Sequence, residues 1–400
     1  MKHLIASHQA RPTDDPIFSL AREAAERAKR GEVIVNATLG VLLDDDGKLA
    51  VLPTAARAVR EVPEQEWAAY SPIAGSPEFL RAVIDDLFAN RPALRASACA
   101  VATPGGTGAL RHAIVNYLEP GQSLITTSYF WGPYQTLVDE QDRKLRTFGM
   151  FDASGAFDVG AFDRALGSVV NEQGRALVFI NDPCHNPTGY SMNEAEWKNV
   201  VACVLSHADR APVTLVVDFA YAEYAAGNPR AFFGVLEPLV GRAALLFAWS
   251  ASKAFTHYGL RVGALIACEP DPGDRAATDA ALSYSSRGTW SNCNRGGLAA
   301  ITRLLTDGAM SAEVTKEREA LKALLSSRVA AFNEHAQKAG LKYPRYEGGF
   351  FVTVFHDEPQ KKAAEMKERG VFVVPTKGGL RAALCSVAVR DVPRLVEALR

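Results

Sequence analysis

From residue 97 to residue 248 short apolar runs alternate with stretches of helical periodicity, and this order restricts the possible folds more than any other feature of the chain. Strands are expected over 97–102, 123–127, 176–180, 214–217 and 243–248, and helices over 108–117, 134–141 and 194–208. Strand and helix taken in turn define an α/β domain with a mainly parallel sheet flanked by helices. Before this region, helical patterns are expected at 17–30, after the turn signal Thr13-Asp14-Asp15-Pro16, and at 76–91, after Ser76-Pro77-Glu78. Beyond it, one long helical stretch is expected over 297–339, and strands at 349–355, 371–375 and 381–389 form a smaller α+β domain. The division expected is a large domain at 47–320 and a small domain built from 1–46 and 321–400.

Hydrophobic residues make up 48% of the chain and charged residues 22%, enough for a sizeable core. The formal net charge of -1 has no long run of one sign behind it, so neither nucleic acid nor an anionic membrane is expected as partner. Cys99, Cys184, Cys203, Cys268, Cys293 and Cys385 are scattered without a C-x-x-C pair, which argues against a metal site or a disulfide framework. The N-terminus is too polar for a signal peptide and no apolar stretch reaches membrane-spanning length, so a soluble, cytoplasmic enzyme is expected.

Four segments suggest chemistry. The apolar run 243–248 delivers Lys253 to a strand end, in Trp249-Ser250-Ala251-Ser252-Lys253. A lysine enclosed there can lose enough proton affinity to form a Schiff base with an aldehyde, and Ser250 and Arg261 flank it as phosphate ligands. The glycine-rich turn Thr103-Pro104-Gly105-Gly106-Thr107-Gly108 opens a helix, where backbone N–H groups of Gly106 and Thr107 face an anion. Asp218 ends the run 214–217 and suits the ring nitrogen of pyridoxal phosphate (PLP). Asn186, in Asn186-Pro187-Thr188-Gly189, and the Tyr221 hydroxyl suit that cofactor's phenolic oxygen. Each segment also has an ordinary reading, as a solvated lysine, a turn or a helix cap. What favours the chemical one is that all four fit a single cofactor.

In these motifs the chain resembles the PLP-dependent aminotransferases of fold type I (class I/II), in the aspartate/aromatic aminotransferase branch. Asn36-Ala37-Thr38-Leu39-Gly40, Asp45-Asp46-Gly47-Lys48 and Tyr70-Ser71-Pro72-Ile73-Ala74-Gly75 extend the resemblance over nearly the whole chain, in family order. It implies an aldimine between PLP and Lys253, with Asp218 and Tyr221 as its chemical partners. It implies that Trp131 stacks on the ring and that Tyr70 reaches the phosphate in the neighbouring subunit. Arg381 would hold the substrate α-carboxylate, as a guanidinium fork does, and Arg287 would cross to the partner's site for a distal carboxylate. Gly40 would lie in a segment that closes over substrate. Asn186 and Trp131 would border the substrate as well as the cofactor. Relatives commonly carry serine and asparagine where this chain has Gly105 and Ala69, so polar contacts are expected to be missing there.

The activity implied is amino transfer between an L-amino acid (aspartate, glutamate or aromatic) and a 2-oxo acid, in a ping-pong sequence with Lys253 as base. A lyase or decarboxylase of the same fold, or a non-catalytic ligand sensor, is the alternative. Roles for Tyr70 and Arg287 across subunits imply a homodimer with shared sites. His112, His185 and His257 are expected to be structural.

Overall fold

The computed structural model describes residues 3–5, 8–9, 11–12 and 16–400. The turn expected at Thr13-Asp14-Asp15 lies outside the described residues.

The central sheet has seven strands. In chain order they are β1 (Ala98–Pro104), β2 (Ser123–Thr127), β3 (Lys144–Phe148), β4 (Ala176–Asn181), β5 (Val213–Asp218), β6 (Ala244–Ser250) and β7 (Val262–Cys268). Their spatial order is β1-β7-β6-β5-β4-β2-β3. Every pairing from β6 to β3 is parallel, whereas β7 runs antiparallel to both β1 and β6. The inner strands β4 to β7 are almost wholly buried and mostly apolar because both faces are covered, whereas the edge strand β3 exposes Lys144, Arg146 and Thr147. Successive side chains point to opposite faces: Val178, Leu215, Val217 and Phe247 enter one core, and Leu177, Phe179, Val216 and Leu246 the other.

Local chemistry sets the helix ends. Ser76 accepts a hydrogen bond from the Phe79 N–H and Pro77 occupies the first turn of Pro77–Leu87, whose Phe79, Ala82, Val83 and Leu87 are buried. Asn193 and Glu196 close a reciprocal capping box at the start of Glu194–Ala208.

The helix expected as one piece over 297–339 is two, Arg295–Thr306 and Gly308–Lys338. Asp307 separates them in an extended conformation, and its carboxylate accepts from the Ala309 and Met310 N–H groups. An Asp-Gly step inside apolar periodicity is a cap signal strong enough to break the helix. The helix expected from residue 108 begins at Gly105, because the glycine-rich turn is itself its first turn.

A third core gathers both ends of the described chain, with Val35, Ala37 and Leu42 packed among Phe350, Val352, Leu380 and Leu395. Its sheet has three antiparallel strands, β8 (Phe351–Phe355), β9 (Val374–Thr376) and β10 (Gly379–Ala383), in the order β9-β10-β8. The run 371–375 divides between two sheets, since Val371–Phe372 pairs instead with Val35–Asn36. The strand expected to continue to residue 389 stops at Ala383 and gives way to short 3-10 turns. Among the described residues no helix is long and apolar enough to cross a membrane.

Candidate active site

Strand direction assembles the site. β1, β4, β5 and β6 end at Pro104, Asn181, Asp218 and Ser250, along the edge where open α/β sheets bind ligands. β7 runs the other way, so Arg261, the residue before it, comes to the same edge. Pro104 pairs with Val262, and Ser250 with Gly263. A cavity of about 200 Å³ lies here. Gly106, Thr107, Ser250 and Arg261 line one part of it, and Trp131, Asn186, Asp218, Tyr221 and Lys253 the rest.

Lys253 follows β6 on the short helix Ala251–Ala254, with Nζ 5.1 Å from the centre of the Tyr221 ring. Burial lowers its pKa to about 8; Asp218 opposes that shift and Arg261 adds to it. Burial also raises the pKa of Asp218, against the opposing pull of the Tyr134 hydroxyl, which donates to Oδ2 at 2.7 Å, and of the Lys253 charge. The ring of Tyr134 meets the Trp131 ring edge-on, with centroids 5.8 Å apart. One tyrosine thus positions both the carboxylate and the aromatic wall.

Asn181, the register partner of Asp218, ties two strand ends together. Its amide donates to the Asp218 carbonyl at 2.8 Å and its Oδ1 accepts from the Asn186 N–H at 2.6 Å. The Asn186 amide in turn donates to the Tyr221 hydroxyl at 3.1 Å. Gly105 has φ +72°, and a Cβ there would lie 2.6 Å from Nη2 of Arg261. Arg261 donates from Nη1 to the Tyr258 carbonyl at 3.0 Å and to Ser252 Oγ at 3.3 Å. A serine at 105 would set its Cβ against the Arg261 guanidinium in a backbone conformation that favours glycine.

Arg381, on β10, is buried over the face of Phe351, with Cζ 4.7 Å from the ring centre, and donates to the Thr38 carbonyl at 2.7 Å. Gly40 packs against that ring, since a Cβ there would stand 2.6 Å from Phe351 Cζ. Arg381 lines a second cavity of about 430 Å³, and Trp131 and Asn186 border both cavities.

Two of the residues named from sequence lie elsewhere in their own chain. Tyr70 is 87% exposed and borders a surface groove with Glu66 and Arg295. Arg287 is exposed at the end of helix Pro272–Arg287, with Nη1 donating to Ser291 Oγ at 2.6 Å. The three histidines line neither cavity. Burial lowers the pKa of His185 to about 3 and that of His112 to about 4, so both are neutral. Sequence reasoning passed over Tyr134, Asn181 and Ser252. The rule that singles out Asp218, a polar residue closing an apolar strand, applies equally to Asn181; Tyr134 carried no such signal.

The family described as aminotransferase class I and II matches residues 32–399. The aspartate aminotransferase of Escherichia coli is 27% identical over 374 residues, covering 90% of this chain and 91% of that protein. The aromatic-amino-acid aminotransferase of Pseudomonas aeruginosa is 27% identical over 407 residues, covering 98% and 97%. The crystal structure of an aminotransferase from Anaerococcus prevotii superposes with a TM-score of 0.95 at 32% identity, covering 100% of this chain and 98% of that one. The chain belongs to the class I and II aminotransferases. It is a pyridoxal-phosphate-dependent transferase of amino groups.

The residues present fit that cofactor. A buried carboxylate whose burial raises its pKa gains from a protonated ring nitrogen beside it. Asn186 Oδ1 is buried with no hydrogen-bond partner among the described residues. Its amide donates one hydrogen to the Tyr221 hydroxyl, which leaves the phenol hydrogen and the second amide hydrogen for an acceptor in the cavity that both residues line. The glycine turn at a helix N-terminus, with Arg261 beside it, suits a phosphate.

Proposed function

We propose that this aminotransferase moves amino groups between acidic or aromatic L-amino acids (aspartate, glutamate, phenylalanine or tyrosine) and 2-oxo acids, by a ping-pong sequence, as a homodimer with shared sites. One observation carries the reading. Lys253, Asp218 and Arg261 border a single cavity, and a second guanidinium, Arg381, borders the cavity next to it. The substrate classes are those in the relatives' names.

When bound, PLP supplies an aldehyde carbon that accepts amines and a ring that draws electrons from the substrate Cα. Gly106, Thr107, Ser250 and Arg261 would bind its phosphate, through helix-terminal N–H groups, hydroxyls and a guanidinium. Asp218 would keep the ring nitrogen protonated, Asn186 and Tyr221 would donate to the ring oxygen, and Trp131 would cover a ring face. Arg381 would grip the substrate α-carboxylate with two parallel hydrogen bonds and so fix the direction of the Cα–H bond. Lys253, with a pKa of about 8, is a base that can take the Cα proton near neutral pH. Such proton transfer contributes roughly 10²- to 10⁴-fold in rate. Phe351 and the Gly40 segment would exclude water.

Tyr70 and Arg287 would act in the partner's site, which accounts for their exposure in the single chain. The exposed Trp67, Tyr70 and Tyr284 supply apolar surface for such an interface. The third core, drawn mainly from 35–42 and 325–399 with Cys184, Tyr221, Tyr224 and Ala225 joining it, supports a division at 47–320 and at 1–46 with 321–400. Six free cysteines fit a reducing, cytoplasmic setting.

The test is L-aspartate added to the cofactor-loaded protein without any 2-oxo acid. A change in the cofactor's visible absorption with one oxaloacetate released per site supports an acidic donor. No change with aspartate or glutamate, but a change with phenylalanine, restricts the reading to aromatic donors. No change with any of the three refutes it.

A further inference from the structure

Arg295 opens the helix Arg295–Thr306, where a cation faces the positive end of the helix dipole. What its guanidinium gains lies in another segment. Nε and Nη2 donate to Glu66 Oε2 at 3.2 Å and 3.1 Å, and Nη1 donates to the Tyr70 carbonyl at 3.1 Å. Glu66 belongs to the short helix Glu64–Ala68, and the extended Ala69 leads from it to Tyr70. The side chain of Ala69 has no polar atom with which to tie that turn down. Tyr70 is 87% exposed, so the chain holds its backbone and leaves its ring projecting. Farther along, the segment is fixed to β1. The Ala74 carbonyl accepts from the Ala102 N–H at 2.7 Å, and a Cβ on Gly75 would lie 2.5 Å from that of Ala102. The base from which Arg295 reaches is rigid. Asn294 Oδ1 caps the helix by accepting from the Gly297 N–H at 3.0 Å, and its amide donates to the Leu260 carbonyl at 3.2 Å. A Cβ on Gly296 would stand 2.8 Å from Trp67 Cβ, and one on Gly297 2.6 Å from Val262 Cγ2. The helix start is thus wedged between the entry to β7 and the helix that precedes Tyr70.

We infer that Arg295 is a positioning residue that aims Tyr70 at the cofactor phosphate of the partner subunit. This rests on the proposed homodimer with shared sites and adds the group that makes one shared contact precise. A side chain that projects from its own subunit takes its direction from its backbone, and here a guanidinium sets that backbone. Two N–H groups on one carboxylate oxygen and a third on the Tyr70 carbonyl fix rotation as well as distance, which a point-like ammonium does not. Adjacent residues thereby serve two different sites. Asn294 steadies Leu260, the residue before this chain's own phosphate ligand Arg261, and Arg295 steadies the tyrosine lent to the partner.

The test reads the Kd of PLP, which needs no turnover, for full-length wild type, Tyr70→Phe, Arg295→Met and the double variant. Tyr70→Phe should weaken binding by about tenfold, the low end for a hydrogen bond to a charged group, and Arg295→Met by a similar factor or less. The double variant should bind no more weakly than Tyr70→Phe alone, because Arg295 acts only through Tyr70. Two hybrids, isolated with one tagged chain, give the direction of the effect, read at the site that keeps Lys253 by the change in visible absorption there. With Lys253→Ala and Arg295→Met on one chain beside a wild-type partner, that site receives Tyr70 from the altered chain and should bind weakly. With the two substitutions on opposite chains, it receives Tyr70 from a chain with Arg295 intact and should bind as the parent does. An effect confined to the fold of the altered chain gives the reverse order. The inference is overturned if the hybrids bind alike or in reverse order, if Arg295→Met leaves Kd within about twofold, or if it costs its full factor again in the Tyr70→Phe background. Unchanged affinity in Tyr70→Phe itself refutes the shared-site reading, and the role of Arg295 falls with it; weakened affinity there with any of the other failures removes Arg295 alone.

Discussion

Tyr134→Phe isolates the electrostatic control of Asp218. The substitution removes one oxygen and keeps the ring, so the edge-on contacts with Trp131 and Phe179, at 5.8 Å and 5.3 Å between centroids, are retained. What is lost is a 2.7 Å hydrogen bond to a buried carboxylate. Tyr134 is fully buried, so bulk water does not replace its hydroxyl. A hydrogen bond to a charged group is worth about 1.5–3 kcal/mol, which is ~10- to 150-fold in an equilibrium or a rate. The direction follows from the causes acting on Asp218: burial raises its pKa and the tyrosine opposes burial, so the variant's carboxyl moves further up. A carboxyl that is less readily ionised is a poorer partner for a protonated ring nitrogen. The deficit should therefore be largest at low pH and shrink as pH rises, moving the acidic limb of the kcat/KM profile upward. The assay is that profile for both proteins, with the cofactor dissociation constant and Tm measured alongside. A purely structural tyrosine would lower Tm and leave the limb where it was. The reasoning is refuted if the variant stays within about threefold of the parent across the profile with unchanged cofactor affinity.

Gly105→Ser restores the hydroxyl common in relatives, yet it should weaken cofactor binding by about tenfold, because φ +72° and a Cβ 2.6 Å from the Arg261 guanidinium displace the phosphate ligand. Equilibrium dialysis checks this, and tighter binding would contradict the geometry. Capture of PLP by the apo chain requires neutral Lys253, so its rate should climb with pH and level off above about 8; a rate with no pH dependence would remove Lys253 as the group responsible. The depressed pKa also makes the protonated lysine a destabilising charge in the fold. Apo-protein Tm should therefore gain a contribution as pH rises above about 8, one that Lys253→Ala lacks. Chains carrying Lys253→Ala, mixed and refolded with chains carrying Tyr70→Phe, should form hybrids with one complete site each, giving about a quarter of wild-type sites above the parents' residual activity. No gain on mixing would place Tyr70 outside the partner's site.

The parts of the site legible in the sequence are those that close strands. Lys253 and Asp218 follow or end uninterrupted apolar runs, and such a run specifies both a buried strand and the place where its last polar residue emerges. Tyr134 could not be found that way. It acts on a residue 84 positions away, and its own neighbourhood reads only as the start of a helix. The break at Asp307 was legible in principle but outweighed by apolar periodicity on both sides, a contest between a local cap and a long pattern that the cap wins.

Strand β7 explains why a short run of sequence holds so much of the site. Lys253 and Arg261 lie eight residues apart, and both reach the same cavity because the chain leaves β6, turns, and re-enters the sheet antiparallel at Val262. A parallel β7 would need a crossover of a dozen or more residues and would start at the opposite edge, carrying Arg261 away from the glycine turn. The reversal also sets the amino end of β7 beside the carboxyl end of β1, so that Gly263 lies against the Gly105 backbone, with 2.5 Å between its would-be Cβ and the Gly105 carbonyl carbon. Two glycines and one inverted strand thus bring a guanidinium, a helix N-terminus and the lysine to one point. The spacing from Lys253 to Arg261 is informative because it encodes that reversal: lengthening the Thr256–Leu260 connection should weaken phosphate binding even if every ligand residue is kept.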